Sequence, residues 1–400
     1  MSSRTTFLSW TIWIVASIFY AYQYILRVMP NIMLNDIMSQ FHIDAATFGQ
    51  FAGIYYIGYS AMHLPIGILL DRHGPRTIMS ACILLTVLGL TPLLFSDHWI
   101  WLLLGRGLIG IGSSAAILGI FKVIRMTFKE SKFPRMLSLS VTIGLLGAIY
   151  GGEPVNYLQS RFGYETVIYS FAATGIILAL ATYLLIPHEK TPSQTTIRGD
   201  IKEVLCHRKV LYTCLFAGFM IGPLEGFADV WGTSFLEQVY GLQQPLSASL
   251  PSLIFVGMCF GAPILNAIAE KIKDYSLTII GSAVVMAASF FLLLFYHLSS
   301  SFLSVSFVLI GISSAYQILA IYQASTYVRP QIAGLATATV NMIMMTFGYA
   351  FHTTIGTVVS NLGGPSSSLA LWYGVSVIPI ALCIGGIGFV FLRFYRKRSI

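Results

Sequence analysis

The 400-residue chain is 56% hydrophobic and only 10% charged, and it carries a formal net charge of +8. A water-soluble domain has about a quarter charged residues, so this chain folded in water would expose far too much apolar surface. The composition excludes a soluble globular protein, and the long unbroken apolar runs exclude a transmembrane barrel, whose strands alternate over about ten residues.

A helix crosses the apolar core of a bilayer in about 20 residues. Runs of that kind predict six spans at 8–29, 46–70, 77–96, 98–123, 136–159 and 164–186, and six more at 210–237, 247–269, 276–296, 300–326, 332–359 and 369–392. Residues 188–209, HEKTPSQTTIRGDIKEVLCHRK, are the one polar, charge-rich connection. The chain is therefore expected to be an all-α polytopic membrane protein with twelve transmembrane helices. Residues 1–187 form one six-helix bundle, 188–209 a linker, and 210–400 a second bundle. No small-residue cleavage site follows the first apolar run, so no removable leader is expected.

Lysine and arginine stay on the cytoplasmic side of spans. With the N-terminus inside, the cytoplasmic segments and span ends carry twenty of the 23 basic residues; only Arg27, Arg106 and Arg161 fall elsewhere. A wrong span count would destroy this bias, which supports both termini in the cytoplasm. It also accounts for the positive charge without a nucleic-acid partner. The five cysteines, Cys82, Cys206, Cys214, Cys259 and Cys383, are scattered and suggest neither a metal site nor a disulfide framework.

Ionisable groups inside spans are costly and usually functional. On span 1, Tyr20, Tyr24, Arg27 and Asn31 follow at steps of four, three and four and share one face. Tyr55, Tyr59 and His63 do the same on span 2. The connection to span 3 reads GILLDRHGPR, from Gly67 through Asp71, Arg72 and Gly74 to Arg76. Gly67 would let another helix approach, Asp71 can pair with basic groups, and Gly74 and Pro75 turn the chain. The matching segment of the second half, NAIAEKIKDY, places Asn266, Glu270 and Lys271 at the same spacing 199 residues on, without the turn glycine. Span 4 holds Arg106 in GRGLIGIGSS, and span 5 holds Gly144, Gly147, Gly151 and Gly152 before Glu153. Span 7 has Glu225, Asp229 and Thr233 on one face. Span 10 adds Tyr316, Gln317 and Gln323, and span 11 carries a weaker stripe of Asn341, Met345 and His352. Spans 3, 6, 9 and 12 have no ionisable group in their interiors.

The GILLDRHGPR loop, the span 4 arginine with Gly107, Gly110 and Gly112, and the glycine-rich span 5 resemble the signatures of the major facilitator superfamily. Glu153 before Pro154 departs from the glycine–proline pattern of its drug–proton antiporters. FYAYQYILRVMPNIM in span 1 and GPLEGFADVWGTSFL in span 7 are similar to a bacterial branch of intraphagosomal amino-acid transporters, itself akin to the lysosomal dipeptide carriers of animals. The resemblance implies two pseudo-symmetric bundles, with spans 1, 4, 7 and 10 lining a cavity and spans 3, 6, 9 and 12 peripheral and lipid-facing. It also implies a secondary transporter working by alternating access, with Gly67, Asp71, Arg72, Gly74 and Arg76 gating the cytoplasmic side.

Mixed charges in such a cavity suit a zwitterion, an amino acid or a dipeptide. Arg27 or Arg106 would take its carboxylate bidentately, and Asp229 or Glu225 its amine. Tyr20, Tyr24, Tyr55, Tyr59, Tyr316, Gln317 and Asn341 complete the expected substrate-binding set, and Glu225 and Glu153 are the proton-coupling candidates. Plainer readings stand beside these. Arg106 can be a buried arginine tied to Glu153 or to helix-end carbonyls. Arg27 can snorkel to the outer surface. The tyrosines and histidines can be packing. No catalytic motif, nucleotide-binding loop, metal site or cofactor is expected, and the driving force would be a proton gradient. An organic-anion carrier using both arginines, a uniporter, and a non-transporting receptor or scaffold are the alternatives. The expected setting is the bacterial inner membrane, as a monomer in the lipid bilayer.

Overall fold

A computed structural model describes residues 3–187, 197–329 and 332–397. The first part of the expected linker, 188–196, and the basic residues Lys190 and Arg398 lie outside them. Among the described residues every regular element is a helix.

Helix α1 (Ser3–Val28) stops ahead of Pro30 and passes into a 3₁₀ turn, Met29–Asn31. A short α2 (Leu34–Phe41) leads to α3 (Ala45–Phe95). At 51 residues α3 is roughly 75 Å long, more than twice the apolar thickness of a bilayer. It is interrupted at Gly74, with φ 77° and ψ 164°. The extended ψ suits the residue before Pro75, and the positive φ is one that glycine adopts at little cost. So α3 is two crossings joined at the DRHGPR turn, as the sequence predicts.

Helices α4 (Trp99–Ser113) and α5 (Ala115–Thr127) make one crossing. Helices α6 (Phe133–Tyr150) and α7 (Glu153–Phe162) make another, bent by 41° at Gly151–Gly152. Helix α8 (Tyr164–Leu185) closes the first half. After α9 (Ile197–Cys206), one crossing is assembled from α10 (Arg208–Phe219), a π-helix (Gly222–Trp231) and α11 (Gly232–Tyr240). Then follow α12 (Gln244–Ile272), α13 (Tyr275–Phe295), α14 (Ser300–Ser314) with α15 (Tyr316–Ser325), α16 (Ala333–Asn361) and α17 (Ser368–Lys397). Among the described residues, ten helices are long and apolar enough to cross a membrane, eleven with the bent pair. Counting α3 twice gives the twelve crossings expected.

The chain divides into two compact units, Met1–Ile43 with Ile54–Gln194, and Asp44–Gly53 with Thr195–Ile400. The sequence boundary was set at 187 and 210; the first turns of α3 also group with the second unit. There Asp44 caps α3 by accepting from Thr47 N at 2.9 Å and takes the Ser360 hydroxyl at 2.6 Å.

In the first unit, polar bonds inside the apolar packing tie α1 to its neighbours. The Trp13 indole donates to Ser140 Oγ at 2.8 Å, and the Tyr22 hydroxyl donates to the Phe171 carbonyl at 2.9 Å. In the second unit, the Tyr240 hydroxyl donates to the Leu293 carbonyl at 2.8 Å, and the Trp372 indole to the Leu294 carbonyl at 2.7 Å. Large exposed apolar side chains are plentiful on the crossings that hold no interior charge. Examples are Leu84 and Leu88 on α3, Ile177 and Leu184 on α8, Phe291 on α13, and Ile387 on α17. In lipid these form an outer surface. Cys82 and Cys214 are buried, Cys259 is half-buried, and Cys206 and Cys383 are exposed.

Each unit closes its second crossing onto its fourth by the same device. A methyl group at Gly110 would overlap the Tyr55 carbonyl, and one at Gly58 the Gly107 carbonyl. In the second unit, Gly311 stands against the Ile254 carbonyl and Gly257 against the Val308 carbonyl. The LIGI of 108–111 recurs at 309–312. This repeat was not among the sequence expectations.

Candidate functional site

The first unit gathers its polar groups where α1 ends. Pro30 has no N–H to offer the Leu26 carbonyl four residues back, and the 3₁₀ turn leaves the last carbonyls of α1 short of helical donors. Arg106 of α4 fills that gap: Nη1 donates to Leu26 O at 2.6 Å and Nη2 to Arg27 O at 2.8 Å. Arg106 is 1% exposed, and its guanidinium lies 4.9 Å from the centre of the Tyr55 ring. Two carbonyls at a helix C-terminus are a fitting place for an enclosed cation.

With Arg106 so engaged, the side chain of Arg27 is set among aromatics. Its guanidinium lies 4.8 Å from the Tyr24 ring and 5.6 Å from the Tyr56 ring, with Arg27 6% exposed. That burial does not fit the snorkelling alternative. Tyr20 packs edge-on against Tyr24 at 5.2 Å. Tyr55 stacks on Tyr59 at 6.2 Å, and Tyr59 leans on His63 at 5.2 Å. The Tyr55 hydroxyl donates to Gln23 Oε1 at 2.7 Å. Gln23 and Tyr56 were missed by the sequence reading. Gln23 lies four residues before Arg27, a polar residue in an apolar run, and that signal was available.

Glu153 is placed apart from Arg106. It opens α7 beyond the break in the fifth crossing and accepts from Asn156 Nδ2 at 3.0 Å. Of the two plainer readings of Arg106, a tie to Glu153 or to helix-end carbonyls, the carbonyl contacts are the ones it makes. The glycines before it let α6 approach α1 closely: methyls at Gly144 and Gly147 would strike the Tyr20 ring and the Ala21 carbonyl of α1.

The gating candidates separate. Asp71 pairs with Lys122 Nζ at 2.9 Å. Arg76 lies 4.2 Å over the Tyr183 ring, and Arg72 is exposed. The close helix approach expected at Gly67 is absent: a methyl there would meet only Leu118 Cδ1, at 3.8 Å.

In the second unit, Glu225 and Asp229 are each 1% exposed, on a ten-residue π-helix in place of the expected α-helix. The wider turn of an i→i+5 helix still leaves residues four apart within roughly 30° of one another, so the two carboxylates share a face. Trp231 ends this segment, fully enclosed and edge-on to Phe48 at 5.9 Å. The indole N–H of Trp231 and the side-chain amide nitrogen of Gln317 have no hydrogen-bond partner among the described residues. The Tyr316 hydroxyl donates to the Ala217 carbonyl near the end of α10, at 2.6 Å. It thus serves the second unit as Arg106 serves the first, securing the end of a helix that leads into a break. Gln323 Nε2 donates to Ser276 Oγ at 2.9 Å, Asn341 is half-buried, and His352 is 1% exposed.

A sequence model of the Major Facilitator Superfamily matches residues 12–353. The chain belongs to this superfamily. Its fold matches a bacterial homologue of the human lysosomal transporter Spinster in an inward-facing, occupied conformation. The TM-score is 0.77 at 15% identity, over 96% of each chain. Nucleoside transporter NupG gives 0.75 at 16% identity, over 96% of this chain and 98% of that one. A probable chloroplastic anion transporter 4 of Oryza sativa subsp. japonica is 28% identical over 38% of this chain; the match spans 26% of that relative's length. These relatives are transporters, not enzymes.

Proposed function

We propose that this major facilitator protein is a proton-coupled secondary transporter of a small zwitterion, an amino acid or dipeptide, working by alternating access in a bacterial cytoplasmic membrane. The observation that carries the reading is the setting of Arg27. It is enclosed and flanked by Tyr24 and Tyr56, while Arg106 holds the backbone beneath it. A planar guanidinium oriented by aromatic faces suits bidentate capture of a carboxylate. Asp229 supplies the acceptor for an amine, and Glu225, one turn away, carries the proton. The relatives are described as anion, nucleoside and Spinster-type transporters, which supports transport and leaves the cargo to the site chemistry. An organic-anion carrier using both arginines is disfavoured, because both terminal nitrogens of Arg106 are engaged by carbonyls.

The test is uptake into proteoliposomes from a panel of amino acids, dipeptides and organic acids, with and without an imposed pH gradient. Arg27→Ala should weaken substrate affinity roughly ten- to a hundredfold, the worth of a charge-assisted bond of about 1.5–3 kcal/mol. Glu225→Gln should abolish gradient-driven accumulation and preserve substrate counterflow. Normal transport by Arg27→Ala would remove the anion site, and a wild type indifferent to the gradient would make the protein a uniporter.

A further inference from the structure

Beside the first stretch of α3 and the α5 helix lies a cavity of about 470 Å³ in the first unit. Its walls are apolar at Leu70, Phe121 and Met126, and they carry two cations, Lys122 and Arg125, against one carboxylate, Asp71. The carboxylate is matched by Lys122 at 2.9 Å, which leaves the cavity one positive charge in excess. That charge is held in place: the Arg125 guanidinium lies 5.1 Å from the Phe133 ring, and Phe133 packs on Phe121 at 6.1 Å. An aromatic support leaves the edge N–H groups of a guanidinium available for an oxyanion. Lys129 and Lys132, between α5 and α6, and Arg135, in the first turn of α6, follow, all exposed.

We propose that this cavity binds the phosphate headgroup of an anionic glycerophospholipid, with Arg125 as its principal ligand. The excess charge calls for an anion, and the fork of an arginine matches phosphate oxygens two at a time. The apolar walls then suit a phosphate ester joined to hydrocarbon. The volume is that of a small-ligand pocket, about 300–1,000 Å³. A chain that spans a bilayer is bathed in such molecules, and basic pockets at the ends of transmembrane helices are where anionic headgroups collect. The proposal does not depend on what the protein carries.

Native mass spectrometry of the full-length protein in detergent tests it, with dioleoylphosphatidylglycerol and dioleoylphosphatidylcholine as probes. The wild type should bind the anionic lipid roughly tenfold more tightly than the zwitterionic one. Arg125→Gln should remove most of that preference. Gly67→Phe, which fills the space without changing charge, should block binding; Lys129→Gln, on the basic surface outside the cavity, should leave it intact. Equal loss in Lys129→Gln would reduce the effect to diffuse surface charge. Equal binding of the two lipids would mean only apolar filling, and displacement by inorganic phosphate would mean a free-anion site; each overturns the proposal. Binding unaffected by Gly67→Phe would place the lipid elsewhere and overturn it too.

Discussion

At the scale of single residues, the two arginines of the first unit divide their labour by geometry. Arg106 spans two carbonyls because Pro30 cannot satisfy one of them, and a lysine ammonium cannot reproduce that two-pronged reach. Arg106→Lys should therefore lower the thermal midpoint of the purified protein, by a hydrogen bond to a charged group worth about 1.5–3 kcal/mol. Pro30→Ala returns an N–H to Leu26, so the cost of Arg106→Lys should shrink in that background; a double-mutant cycle measures the coupling. If the two changes are additive, Arg106 does not act through the helix end. Arg329, after α15, donates to both carboxylate oxygens of Glu203 on α9, at 3.0 and 2.6 Å, and this holds the Glu203 carboxyl below its usual range. A depressed carboxyl stabilises the folded state above its unfolded pKa and loses that contribution as pH falls through the folded one. The stability difference between wild type and Glu203→Gln should be present at neutral pH, fade below the ordinary glutamate range near about 4.3, and shrink with salt, since the pair is exposed.

Among the helices, close glycine contacts set where crossings meet. Gly110→Ala and Gly311→Ala should each destabilise by about 1–3 kcal/mol through overpacking against a carbonyl that belongs to another helix. Gly67→Ala should fold normally, because only Leu118 is within reach, at ordinary contact distance. Thermal unfolding of the three variants in one detergent separates these outcomes. The positions of the crossings, the Gly74 turn and the face shared by Glu225 and Asp229 were legible, since each rests on hydropathy, on glycine's free φ, or on a spacing of four. The breaks were not. The turns at Ser114 and Ala315, the 41° bend at Gly151–Gly152 and the π-helix all sit inside stretches that average hydropathy reads as one crossing each. Apolar periodicity reports burial and says little about a change of helical pitch. The Arg106 site was half legible: helix-end carbonyls had been one reading of it, but choosing them over Glu153 required knowing that α1 stops at Val28 and that Glu153 begins a new helix.

At the scale of the whole molecule, the even number of crossings and the bias of the basic residues make one expectation about sidedness, and the cysteines described above turn it into a direct measurement. Cys206 closes α9, outside the apolar crossings, and is exposed. Cys383 is also exposed but lies within the apolar length of α17, where the surroundings are hydrocarbon. Cys82 and Cys214 are enclosed, and Cys259, half-buried, lies within the apolar length of α12, so a charged reagent reaches none of the three. A charged, membrane-impermeant maleimide should thus find essentially one target without any cysteine being added or removed. With both termini in the cytoplasm, Cys206 should react in inside-out vesicles and stay unlabelled in intact cells. Labelling in intact cells would invert the assigned orientation. The native chain is, in effect, already tagged for the experiment that decides which way round it sits.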